Sequence, residues 1–76
     1  VLWAIIGAFD WPVPYMMQVA WCESGGRADA DENPGYWGLF QINYWWPDWA
    51  DPTSNAAAAY AKYVGAGLTP WPNCPR

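Results

Sequence analysis

Residues 12–26 read Pro-Val-Pro-Tyr-Met-Met-Gln-Val-Ala-Trp-Cys-Glu-Ser-Gly-Gly, and this stretch decides the fold class. Val13, Met16, Met17 and Ala20 fall at i, i+3, i+4 and i+7, the spacing of one helical face. Pro12 and Pro14 suit a first turn, where a missing N–H costs nothing. Gly25-Gly26 suits a stop, because glycine takes the left-handed conformation without a Cβ clash. The spacing predicts a helix that runs to about Cys22-Glu23-Ser24.

Upstream, residues 1–9 are apolar and predict a short buried helix that ends before Pro12. The segment is too short to cross a bilayer and lacks the basic start of a signal peptide. Any export signal is expected to lie outside these residues. Downstream, residues 27–37 are rich in turn formers and read as a surface loop. Residues 38–43, Gly-Leu-Phe-Gln-Ile-Asn, form either a brief strand or a helical turn. Residues 44–50 hold three Trp and a Pro, and predict an irregular loop with a helical turn. Asp51-Pro52 opens a further helix as N-cap and first position. Asn55 to Val64 carries five Ala as its body, and Gly65 is expected to close it. The tail from Gly67 to Arg76 contains three Pro and is expected to be extended, wrapping back toward Cys22.

The chain has 76 residues, which allows one domain at most. Apolar residues make up 54%, enough for a core and too many for bulk disorder. The absence of His excludes Ser-His-Asp and Cys-His catalysis and any His-ligated metal. Three Lys+Arg against seven Asp+Glu give a net charge of −4, so no basic face for nucleic acid can form. Two Cys are too few for a zinc cage. Their even number in a small domain suits one Cys22–Cys74 disulfide and an oxidising compartment, the other reading being two reduced core thiols. No cofactor is implied.

Glu23 is the candidate for chemistry. It stands at the negative end of the helix dipole on an apolar helix, and both features favour its protonated form. A carboxylic acid still protonated near neutral pH is what a general acid requires. Arg27 lies close enough in sequence to oppose that effect. Asp29, Asp31 and Asn33 match the start of a calcium loop, but Pro34 and Phe40 stand where its Gly and bidentate Glu are needed. No metal site is therefore expected, and Asp31 or Glu32 is instead a candidate second carboxylate opposite Glu23. Fifteen aromatics are too many for so small a core. Tyr36, Trp37, Tyr44, Trp45, Trp46, Trp49 and Trp71 are expected to divide between core and a groove where rings stack on sugar faces.

Taken together, these motifs resemble the lytic transglycosylase and goose-type lysozyme superfamily. Residues 19–26 resemble the helix end bearing its catalytic Glu-Ser pair, here Glu23 and Ser24. Gly38-Leu39-Phe40-Gln41-Ile42 resembles the motif whose Gln lines the glycan cleft. Asp51 through Tyr60 resembles the helix whose Tyr approaches the catalytic Glu, and Gly67-Leu68-Thr69-Pro70-Trp71 a tail motif of secreted and phage-borne members. A Cys before the Glu paired with one near the C-terminus is also familiar there.

The resemblance implies a compact, mainly α lysozyme-like domain over 1–76, with three to four helices and irregular loops. It implies secretion or cell-wall association in a bacterial or phage setting. Its substrate would be peptidoglycan, cut between N-acetylmuramic acid and N-acetylglucosamine by a monomeric enzyme with Glu23 as acid/base. Gln41 and Tyr60 would position the muramic acid, Ser24 would steady the Glu, and Tyr36, Trp45 and Trp46 would stack on sugars. Two departures stand out. Asn43 occupies the place of the Asp of goose-type lysozymes, and Ala59-Tyr60-Ala61-Lys62 replaces the Ala-Tyr-Asn-Ala-Gly motif. The first favours an anhydro-forming transglycosylase over a hydrolase. A glycan-binding module without catalysis and a partner-bound structural domain are the rival readings.

Overall fold

The computed structural model describes residues 2–74. It is mainly helical, with α1 (Leu2–Ile6), α2 (Val13–Ser24) and α3 (Pro52–Ala66). Among the described residues the sole strand-like feature is an isolated antiparallel bridge, Trp37 to Ile42. Val1, at the start of the expected first helix, and Pro75 and Arg76, at the end of the tail, lie outside the described residues.

The α2 helix begins after Pro12 and ends at Gly25, whose φ of 65° is left-handed. The amides of Gly25 and Gly26 bond back to the carbonyls of Trp21 and Ala20. Those bonds satisfy acceptors that the last helical turn otherwise leaves open. Met16, Val19 and Ala20 are fully buried, with Val13 and Met17 packed at their margin. The predicted face is therefore the buried one, widened by Val19.

The first and third helices differ from expectation in length. α1 stops at Ile6 rather than Phe9. Beyond it the chain turns so that the Trp11 indole donates to the Ile6 carbonyl at 2.7 Å. α3 runs through Gly65 to Ala66 and closes at Gly67, where φ is 62°. Propensity alone does not stop a helix at an exposed glycine, because its cost is only about 1 kcal/mol. The start is as expected, with the Asp51 carboxylate accepting from the Thr53 amide at 2.9 Å.

α1 packs against both α2 and α3, whose backbones do not approach each other. Leu39, Phe40 and Ile42 complete the core, fully or almost fully buried in the same cluster as α2 and α3 residues. Ala56 and Ala59 are the α3 residues buried there, and their small size lets the helix sit close.

One polar residue fastens this turn. Asn55, on the first turn of α3, is fully buried. Its side-chain oxygen accepts from the Phe40 amide at 2.8 Å. Its side-chain nitrogen donates to the carbonyls of Trp37 at 2.9 Å and Trp49 at 3.1 Å. The Phe40 carbonyl in turn accepts from the Trp71 indole at 3.1 Å. Gly38, with φ of 78°, passes so close that a Cβ there would collide with the Asn55 amide and the Trp49 carbonyl.

The tail is not extended. It folds as successive turns, with Thr69, Trp71 and Cys74 amides bonded to carbonyls three residues back. Proline restricts φ in a way that suits turns as well as extended chain. Cys22 and Cys74 form a disulfide, with Cα atoms 5.7 Å apart and a sequence separation of 52. Among the described residues no helix is long and apolar enough to cross a membrane.

Asn55→Ala should leave the Phe40 amide and the Trp49 carbonyl without their partner, take one of two donors from the Trp37 carbonyl, and lower unfolding free energy by about 3 kcal/mol. Denaturant titration followed by tryptophan fluorescence measures this, and a loss near zero contradicts the role. Reduction of Cys22–Cys74 should destabilise the fold by about 4 kcal/mol through loop entropy. The thermal midpoint in the presence of a phosphine reductant reads that loss.

Candidate functional site

The disulfide determines what faces Glu23. Cys22 precedes Glu23 on the last turn of α2, so tying Cys22 to Cys74 brings the tail beside the carboxylate. A cavity of about 470 Å³ lies there, lined by Cys22, Glu23, Asn33, Pro34, Tyr36, Gln41, Pro70, Pro72, Asn73 and Cys74. Its prolines and disulfide form stiff walls, while three amide side chains and a phenol supply polar contacts. Glu23 is half-buried and is the one carboxylate among the described lining residues.

Gln41 is held in an unusual way. It is the sole described non-glycine residue with positive φ, at 52°. Such a conformation costs on the order of 1 kcal/mol and persists where neighbours enforce it. Here the side-chain nitrogen donates to the carbonyls of Gly38 at 2.9 Å and Ala30 at 3.2 Å. Its oxygen accepts from the Asn33 side chain at 3.1 Å. Gln41 thus lines the cavity, yet both its donors are engaged in building the loop. What it leaves for a ligand is a lone pair on its amide oxygen.

The other sequence candidates divide. Tyr36 is 49% exposed and lines the cavity. Ser24 donates its hydroxyl to the Ala20 carbonyl at 2.9 Å, bonding into its own helix, and is not among the lining residues. Tyr60 lies in an aromatic group with Phe9, Trp11 and Tyr63, its ring centroid 5.1 Å from that of Phe9. Trp45 is exposed and Trp46 donates its indole N–H to the Ser54 hydroxyl at 2.9 Å. Neither Trp lines the cavity. Of the seven rings offered for the groove, Trp71 is core, and Trp37 packs on Trp49 with centroids 5.3 Å apart.

Asp31 and Glu32 are both exposed and outside the lining. The Glu32 carboxylate accepts from the Asp31 amide at 2.8 Å and is ion-paired with Arg27. Backbone bonding, from Asp31 first, and then Arg27 hold the Glu32 carboxyl below its ordinary range. Arg27 also reaches Asp29 at 3.5 Å. Arg27, expected beside Glu23, is thus engaged with Glu32 and Asp29. Among the described residues no three His, Cys, Asp or Glu side chains gather as a metal cage.

Sequence reasoning missed the amide and proline walls from Asn33, Pro34, Pro70, Pro72 and Asn73. A signal for the last three was available, because pairing Cys22 with Cys74 obliges the preceding residues to lie near Glu23. A second, smaller cavity of about 140 Å³ adjoins the first, sharing Tyr36, Gln41 and Pro70. It adds Ile42, Asn43, Lys62 and Trp71. The two are neighbours, with Glu23 lining one and Lys62 the other.

The fold and site define a small, disulfide-closed helical domain with one glutamate in an amide-lined cavity. Comparison with family models, with curated proteins and with solved structures finds no match.

Gln41→Glu should destabilise the loop by about 2 kcal/mol at neutral pH, since a carboxylate would face two carbonyl oxygens. Those oxygens and burial raise the substituted carboxyl's folded pKa above its unfolded value. The deficit relative to wild type is therefore small below the unfolded pKa and complete once pH exceeds the folded one. Thermal midpoints of both proteins across acid to neutral pH check this; a constant deficit contradicts it.

Proposed function

We propose that this chain is a glycosidase that cleaves peptidoglycan between N-acetylmuramic acid and N-acetylglucosamine. Glu23 is its acid/base, and the expected products carry 1,6-anhydro ends. The observation that carries this reading is that Glu23 is the single carboxylate among the described residues that line the larger cavity. Inverting hydrolysis needs a second carboxylate roughly 6.5–9.5 Å away to activate water. Asp31 and Glu32, the candidates for that role, lie outside the cavity. Anhydro-forming cleavage needs only one.

In this mechanism the Glu23 carboxyl gives its proton to the glycosidic oxygen as the C1–O bond breaks. The resulting carboxylate then takes the proton of the muramic C6 hydroxyl. O6 bonds to C1, and Glu23 ends protonated, as it began. No water is consumed. Glu23 is half-buried at the carbonyl end of α2. In this reading the Tyr36 ring face stacks on a sugar, and the Asn33 amide, beyond the N–H it gives to Gln41, bonds its hydroxyls. Gln41 acts chiefly by shaping the loop. In this reading the protein works as a monomer on glycan strands outside the reducing cytosol, secreted or wall-associated, from a bacterium or a phage. The disulfide fits an oxidising compartment.

Mass spectrometry of fragments released from purified peptidoglycan tests the proposal. Anhydro-muramic ends from wild type, reduced by at least ~100-fold in Glu23→Gln, are expected for loss of a general acid. Reducing ends would indicate hydrolysis. Absence of fragments, with binding retained by both proteins, would replace catalysis with a glycan-binding role.

A further inference from the structure

The second cavity holds the chain's one lysine. Lys62, on α3, lines the smaller cavity with Asn43, Tyr36 and Gln41. Its ammonium lies 5.5 Å from the centroid of the Tyr44 ring. Among the described residues no carboxylate forms an ion pair with it, whereas Arg27 is doubly paired. The protein carries a net charge of −4, so its overall field repels anions. A half-buried cation without a carboxylate partner, set in a cavity of such a protein, is a local exception to that field.

We infer that Lys62 is a specificity-determining residue that binds a carboxylate of the substrate beyond the Glu23 subsite. This deepens the glycosidase reading and rests on it. The shared chemistry has two sources in the wall polymer. One is a carboxylate of the stem peptide; the other is the lactyl carboxylate of muramic acid, which is free once the peptide has been removed. The Tyr44 ring attracts the ammonium as a cation–π partner without using its N–H donors, which stay available to a ligand. Tyr36, Gln41 and Pro70 line both the cavity of this cation and that of Glu23, so the two are adjacent. A glycan spanning both would place its reacting bond at one end and its acidic substituent at the other.

The test compares three substrates: peptide-bearing glycan strands, amidase-stripped strands and an uncharged chitooligosaccharide. Wild type, Lys62→Met and Lys62→Arg are compared by titration for affinity on all three, the uncharged one serving as a binding control, and for kcat/KM on the two strands that contain muramic acid. Wild type should favour at least one carboxylated substrate over the uncharged one by roughly fivefold, the upper range for a partly exposed ion pair. Lys62→Met should bring that ratio close to one, Lys62→Arg should restore it, and added salt should reduce it. Preference for the first substrate alone identifies the stem peptide; preference for the second identifies the lactyl group. Equal losses on all three substrates, with the ratio unchanged, would show a structural role and overturn the inference. If no substrate is cleaved, the glycosidase reading fails, and the affinity ratios decide Lys62 separately. Affinities that ignore carboxylates, or no binding at all, overturn it.

Discussion

The structure depends on one buried amide. Asn55 links the first turn of α3 to three backbone groups of an irregular segment, of which the Trp37 carbonyl alone has a second donor, the Ile42 amide. Trp37, Phe40 and Trp49 belong to a segment with no helix and one isolated bridge. A buried loop normally fails because its polar backbone cannot be satisfied away from water. Asn is suited to this site because its side chain presents a donor and an acceptor at once, as a peptide unit does. With the backbone satisfied, Leu39, Phe40 and Ile42 can enter the core. Each such buried side chain contributes about 1.5–3 kcal/mol, a large share of what a small domain has.

The cavity follows from that clamp and from the disulfide. The clamp fixes the 37–42 turn, and the turn holds Gln41 at positive φ against Ala30 and Gly38. The disulfide fixes the opposite wall, carrying Pro70, Pro72 and Asn73 to the end of α2. Glu23 lies between the two. Neither wall is a helix or strand, so the site's rigidity comes from specific bonds rather than from regular structure. A domain of this size has few other means of holding a site in place.

Much of this was legible in the sequence. The helical face of 13–24, its glycine stop and the Asp51-Pro52 opening are local signals, and local signals survive into the structure. The Cys22–Cys74 pairing was also legible. The ends of α1 and α3 and the turns of the tail were not, because tertiary packing decides whether a glycine or proline interrupts an element. The aromatics misled for a related reason. Trp46 and Tyr60 looked available for sugars, but the Trp46 indole bonds Ser54 on α3 and Tyr60 packs on Phe9 from a distant segment, and periodicity reveals neither. Asn55 drew no attention because a single Asn beside an alanine run reads as an ordinary N-terminal helical residue. Its importance lies in three bonds to residues 6 to 18 positions away.

The most direct test of this account is native-state hydrogen exchange at the Phe40 amide. The account predicts exchange only through global unfolding, with a free energy equal to that from denaturant titration. Exchange as fast as that of the exposed Asn43 amide would show that the turn opens on its own, and that Asn55 does not hold the cavity together.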